Sequence, residues 1–127
     1  MEDIKIEGYK DVYFVPTVNF SVETGECEIA GESFLEETEK FYNPLIDWIQ
    51  QYIEEKNKPL KFIFKLNYFN TSSSRCILDL LKALKKYQEK GGEVTINWHY
   101  DEDDIDMEEA LEDYIIETGL NINLYPY

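Results

Sequence analysis

Leu60-Lys61-Phe62-Ile63-Phe64-Lys65-Leu66-Asn67-Tyr68-Phe69 runs directly into Asn70-Thr71-Ser72-Ser73-Ser74-Arg75. The first part places Leu60, Phe62, Phe64 and Leu66 on one side, which is the repeat of a strand. Ile63 on the second face suggests a central strand covered on both faces, although Lys61, Lys65 and Asn67 weigh against that. From Ser73 to Lys90 the period changes. Ile77, Leu78, Leu81, Leu84 and Tyr87 return at helical spacing, with Arg75, Lys82 and Lys86 mostly on the opposite side. Gly91-Gly92 then ends the helix.

Outward from this junction the same alternation continues. Val94–Trp98 reads as the next strand, Asp101–Asp106 as an acidic loop, Met107–Glu117 as a short helix before Gly119, and Leu120–Leu124 as a last strand. Toward the N-terminus, Asn57-Lys58-Pro59 breaks the chain, and Ser33–Glu55 carries a helical face of Phe41, Leu45, Trp48, Ile49 and Tyr52. Ser33 and Glu36 have capping-box spacing, and Pro44 suggests that the main helix begins near it. Val12–Val15 reads as a strand ending at Pro16. Val18–Val22 and Cys27–Ala30 flank the turn Glu23-Thr24-Gly25-Glu26 as a hairpin. The order predicts an α/β fold in one domain, residues 1–127, with a mixed sheet, an N-terminal hairpin and flanking helices.

Composition narrows the function classes. The hydrophobic share is 43%, enough for a core, and the net charge is −15. Nucleic acid and anionic membranes would repel such a surface, so neither is expected as a partner. The charge is uneven: Asp101–Tyr127 holds ten acidic residues and no Lys or Arg, whereas Arg75–Lys90 holds five basic and two acidic ones. Cys27 and Cys76 form no paired motif and read as free thiols in a reducing compartment. The acidic N-terminus lacks the pattern of a signal peptide, so a cytoplasmic location is expected.

Little in the chain suggests catalysis, and no cofactor is expected. His99 is the sole histidine and has neither a second His nor a Cys pair with metal-site spacing. The serines at 72 to 74 lack the glycines of a nucleophile elbow. Asp101, Asp103 and Asp106 fail as a calcium loop, because Ile105 stands where an oxygen ligand is needed and Asp106 where glycine is needed. They fit better as acids favouring a helix start. What remains is the hydroxyl run. One amide or hydroxyl suffices to cap a helix, and four consecutive hydroxyls exceed that need. A phosphate here would meet the positive end of a helix and add roughly −1.5 to −2 units of charge.

The chain resembles the SiaC family of bacterial regulatory phosphoproteins over nearly its whole length. The resemblance is carried by Pro16-Thr17-Val18, Gly31-Glu32-Ser33-Phe34, Phe41-Tyr42 with Pro44-Leu45 and Trp48, Leu66-Asn67-Tyr68-Phe69-Asn70-Thr71-Ser72-Ser73, and Trp98-His99-Tyr100-Asp101 with Asp103-Asp104. It implies a fold like that of anti-sigma-factor antagonists (STAS-like) and a switch rather than an enzyme. It further implies that Thr71 is phosphorylated by a serine/threonine kinase and dephosphorylated by a metal-dependent phosphatase. The unphosphorylated form would bind and activate a diguanylate cyclase, raising cyclic di-GMP and promoting biofilm formation. Asn70, Ser72 and Ser73 would be capping or orienting residues beside the switch, and Tyr68, Phe69, Arg75 and Lys82 are candidate partner-binding residues. Two other readings stay open: an anti-sigma-factor antagonist controlling a sigma factor, and a small-molecule sensor or enzyme with a pocket near Thr71 and the acidic loop.

Overall fold

The computed structural model describes residues 1–127. Eleven elements follow in order: β1 (Ile4–Ile6), β2 (Tyr9–Lys10), β3 (Phe14–Val15), β4 (Thr17–Phe20), β5 (Glu26–Ser33), α1 (Thr38–Glu55), β6 (Leu60–Phe69), α2 (Thr71–Glu89), β7 (Val94–Tyr100), α3 (Ile105–Thr118) and β8 (Ile122–Pro126). Six strands form one mixed sheet in the order β1-β4-β5-β6-β7-β8. β4 and β5 are the antiparallel hairpin, turning at Gly25 with φ +73°, and β5 to β8 run parallel. β2 and β3 make a separate ribbon, so the strand expected over Val12–Val15 is only its last two residues.

The parallel strands are laid down in one direction, each joined to the next by a helix. Right-handed crossovers then place all three helices on one face. Burial follows that rule. Leu60, Phe62, Phe64 and Leu66 are fully buried, whereas Lys61, Lys65 and Asn67 are exposed and Ile63 is only half-buried. The sheet is therefore covered on one face, and the two-sided covering suggested by Ile63 does not occur. The open face also carries Thr95, Asn97 and His99, whose ring stacks on Tyr125 with centroids 5.1 Å apart.

The covered face meets α1 and α2 in a core that includes Phe20, Trp48, Phe62, Phe64, Leu81 and Trp98. Trp98 stacks on Phe64 at 4.3 Å. On α2 the inward stripe is Cys76, Ile77, Leu80, Leu81, Leu84 and Tyr87, with Leu78 half-buried beside it. Helix α1 starts at Thr38, and Ser33 is the end of β5 rather than its cap. Pro44 lies inside the helix, flanked by the buried Tyr42 and Leu45, whose packing outweighs the hydrogen bond that proline cannot make. No helix is long and apolar enough to cross a membrane.

One irregularity shapes everything downstream. β6 pairs with β5 in regular parallel register up to Gly31↔Leu66, and the next pair is Glu32↔Tyr68. Asn67 is the extra residue of a bulge, which reverses the side on which later residues point. Tyr68 consequently faces outward, 47% exposed, and Phe69 turns inward against Trp98 and Tyr114.

Candidate functional site

The strand ends and the helix begins with one residue between them. Asn70 is the N-cap of α2, in extended backbone conformation, and its Oδ1 accepts the backbone N–H of Ser73 at 3.0 Å. Its own N–H donates to the Ser33 carbonyl at 3.0 Å, which ties the start of the helix to the end of β5. Helical geometry starts at Thr71, two residues before the start expected from hydrophobic spacing, which the hydroxyl run cannot mark.

Three of the four hydroxyls bind the helix to three different places. Ser73 is fully buried. Ser33 Oγ donates to Ser73 Oγ at 2.7 Å, and Ser73 Oγ donates to the Ser33 carbonyl at 3.2 Å. Because the single Ser33 proton is used on Ser73, the Tyr42 phenol is the donor in its 2.8 Å contact with Ser33 Oγ. Burial pushes the Tyr42 pKa up, so that donor stays protonated. Ser72 Oγ donates to Asn70 Oδ1 at 3.3 Å and is hydrogen-bonded to the Thr38 hydroxyl, at the first residue of α1, at 2.8 Å. Ser74 Oγ lies 2.8 Å from the Tyr114 hydroxyl on α3, which itself donates to the Ser74 carbonyl at 3.0 Å. Burial pushes the Tyr114 pKa up to about 12, against the Ser74 hydrogen bond, which lowers it.

Thr71 differs from all three. It is exposed, as Ser72 also is, but its hydroxyl takes part in none of these hydrogen bonds. It sits at the mouth of a groove of about 400 Å³ between α2 and α3, lined on one side by Arg75 and Leu78 and on the other by Ala110, Asp113, Tyr114 and Glu117. The first N–H groups of a helix, here those of Thr71 and Ser72, have no intrahelical carbonyl to meet, and they give this end a positive potential. Chemically, the site offers one exposed hydroxyl without a hydrogen-bond partner, unpaired backbone donors and a guanidinium. The carboxylates of Asp113 and Glu117 stand on the facing wall of the same groove.

The model of the SiaC family regulatory phosphoproteins matches residues 7–127. The chain belongs to the SiaC family. An uncharacterized protein of Pseudomonas aeruginosa strain UCBPP-PA14 is 27% identical over 114 residues, covering 90% of this chain and 88% of that protein. The crystal structure of apo-SiaC from Pseudomonas aeruginosa is 25% identical and matches with a TM-score of 0.89, covering 98% of this chain and 99% of that one. A chain from the crystal structure of the diguanylate cyclase SiaD in complex with its activator SiaC, also from Pseudomonas aeruginosa, matches with a TM-score of 0.90 at 24% identity, covering 98% of this chain and all of that one.

In this SiaC-family fold the residues singled out in sequence fall into two groups. Asn70, Thr71, Ser72 and Ser73 form the junction itself. Arg75 lines the groove one turn below Thr71, and Lys82 lies two turns further along the same exposed stripe of α2. Tyr68 lies on the open side of the sheet, beside Glu32. Phe69 is part of the packing beneath the junction rather than its surface. Thr71 and the acidic loop do not share a pocket: Asp101 and Asp104 line a separate depression with Leu66, Asn67, Tyr100, Met107 and Tyr127. Asp104 caps α3 by accepting from Met107 N–H at 3.0 Å. Ser33, Thr38, Tyr42 and Tyr114 escaped the sequence reading as partners of the serines. The one available signal was Ser33, a polar residue at an inward strand position after Cys27 and Ile29.

Proposed function

We propose that this SiaC-family protein is a non-enzymatic signalling switch, reversibly phosphorylated on Thr71. In this reading a serine/threonine kinase adds the phosphate and a metal-dependent phosphatase removes it. The unphosphorylated form binds and activates a diguanylate cyclase, which raises cyclic di-GMP and promotes biofilm formation. The observation that carries the proposal is the division of labour within the hydroxyl run: Ser72, Ser73 and Ser74 hold the helix in place, and Thr71 is left exposed and unengaged. The solved complex of SiaC with SiaD supports the choice of partner class. We read the mixed sheet with helices on one face as akin to anti-sigma-factor-antagonist (STAS-like) domains, a scaffold suited to partner exchange, and place the switch in the cytoplasm, where both kinase and cyclase domains would meet it.

The physical effect of the phosphate is local. It adds roughly −1.5 to −2 charge units and a bulky group at a docking surface that already has a net negative chain behind it. The fold need not change for a partner to be refused. The test is capture of partners from the source cells by wild type, Thr71→Ala and Thr71→Asp proteins, with cyclic di-GMP synthesis measured on the captured material. Thr71→Ala should retain a cyclase constitutively and Thr71→Asp should retain less of it. Equal capture by all forms would sink the switch. Recovery of an anti-sigma kinase with no cyclase would favour sigma-factor control, and nucleotide turnover by the isolated protein, lost in Thr71→Ala, would favour an enzyme.

A further inference from the structure

We propose that Arg75 is the internal counter-ion of the Thr71 phosphate, so that phosphorylation removes a free cation from the surface as well as a free hydroxyl. This inference rests on the reading of Thr71 as the phosphoacceptor. Residues 71 and 75 are one turn apart on α2, the spacing at which helix side chains are neighbours. Side chains on a helix lean toward its N-terminus, which carries the Arg75 side chain over the turn that Thr71 begins. Both residues are exposed, and both line the groove between α2 and α3.

Arg75 is also uncommitted. The three ion pairs of the protein are Lys10–Glu32, Lys40–Glu37 and Lys65–Glu28, and none involves Arg75. This is so even though Asp113 and Glu117 line the facing wall of its groove. It is the only basic residue in that groove, and Lys82, the next cation along the stripe, is about 16 Å from Thr71 along the helix axis. A planar guanidinium can take two phosphate oxygens at once, and a phosphate outcompetes a single exposed carboxylate for it. Before phosphorylation, then, Arg75 is a lone cation available to a carboxylate of the partner. Afterwards it is drawn onto the phosphate, and Asp113 and Glu117 are left to face the partner unopposed.

The test places phosphothreonine at position 71 by genetic encoding, so that no kinase is needed, and follows its phosphorus NMR shift against pH. Wild type is compared with Arg75→Gln and Arg75→Lys. The second ionisation of the phosphate should fall about one pH unit lower with arginine than with glutamine, with lysine in between. Coincident midpoints for wild type and Arg75→Gln would overturn the inference. The outcome is separable from the underlying reading: absence of phosphate from the cellular protein would end that reading, whereas the titration reports only on whether Arg75 holds a phosphate once it is there. Arg75→Lys keeps the charge and the exposed position, so a loss of folding in the glutamine variant would not hide the answer.

Discussion

The Ser33 hydroxyl donates to the Ser73 hydroxyl across 2.7 Å, joining residues 40 positions apart. One lies at the end of β5 and the other in the first turn of α2, and both are fully buried. Removing one partner of a buried hydrogen bond strands the other, at a cost of roughly 1–3 kcal/mol. Ser73→Ala should lower the urea unfolding free energy by that amount. Ser33→Ala/Ser73→Ala should cost less than the two single changes added together, because they share a contact.

Thr71 makes the opposite prediction. Its side chain is exposed and holds nothing, so Thr71→Ala should leave stability within about 0.5 kcal/mol of wild type. Asn70→Ala, one residue earlier, removes the cap that receives the Ser73 N–H and should cost about 1 kcal/mol. Denaturant unfolding of the two variants side by side separates a residue the fold does not use from one that caps the helix.

The bulge at Asn67 separates Tyr68 from Phe69 in the same way. Phe69 packs on Trp98 and Tyr114 with centroids 6.1 Å away in each case, so Phe69→Ala should destabilise by about 2–3 kcal/mol. Tyr68→Ala should have little effect on thermal unfolding and should weaken capture of the proposed cyclase partner. Deleting Asn67 would remove the bulge while leaving Leu66, Tyr68 and Phe69 opposite Gly31, Glu32 and Ser33, with Tyr68 outward and Phe69 inward; such a protein should keep a cooperative unfolding transition.

Alkaline pH should weaken the fold through Tyr114. Burial raises its pKa from 10.0 to about 12. Below pH 10 the phenol is neutral in both folded and unfolded chains and its contribution is complete. Between about pH 10 and 12 the unfolded chain ionises first, and stability is lost at up to about 1.4 kcal/mol per pH unit. Urea midpoints taken from pH 8 to 11 should fall from about pH 9, where the buried thiols of Cys27 and Cys76 enter, and more steeply above pH 10, and Tyr114→Phe should flatten the later part of that fall. Raised pKa values at Tyr42, Tyr52 and Tyr87, and at the buried thiols Cys27 and Cys76, add to it.

Much of this architecture is legible in the sequence because period and burial coincide. Leu60, Phe62, Phe64 and Leu66 announce β6, and the stripe from Ile77 to Tyr87 announces α2. The parallel order follows from alternation. What is hidden depends on contacts between distant residues. No local signal distinguishes Ser73, which is buried against Ser33, from Thr71, which is solvated, since both are hydroxyls in a favourable cap sequence. Spacing puts Leu78 in the inward set and omits Leu80, whereas the fold buries Leu80 fully and leaves Leu78 half-buried at the groove facing α3. The turn of Phe69 inward follows from a bulge, and a single extra residue in one strand has no signature without its partner strand.

The central claim is that Thr71, alone in the hydroxyl run, carries the signal. Intact-mass and peptide fragmentation spectra of the protein isolated from its own cells, before and after phosphatase treatment, test it most directly. The account predicts one phosphate, on Thr71, removed by the phosphatase. Phosphate on Ser72, Ser73 or Ser74 instead, or an unmodified protein under every growth condition, would contradict it.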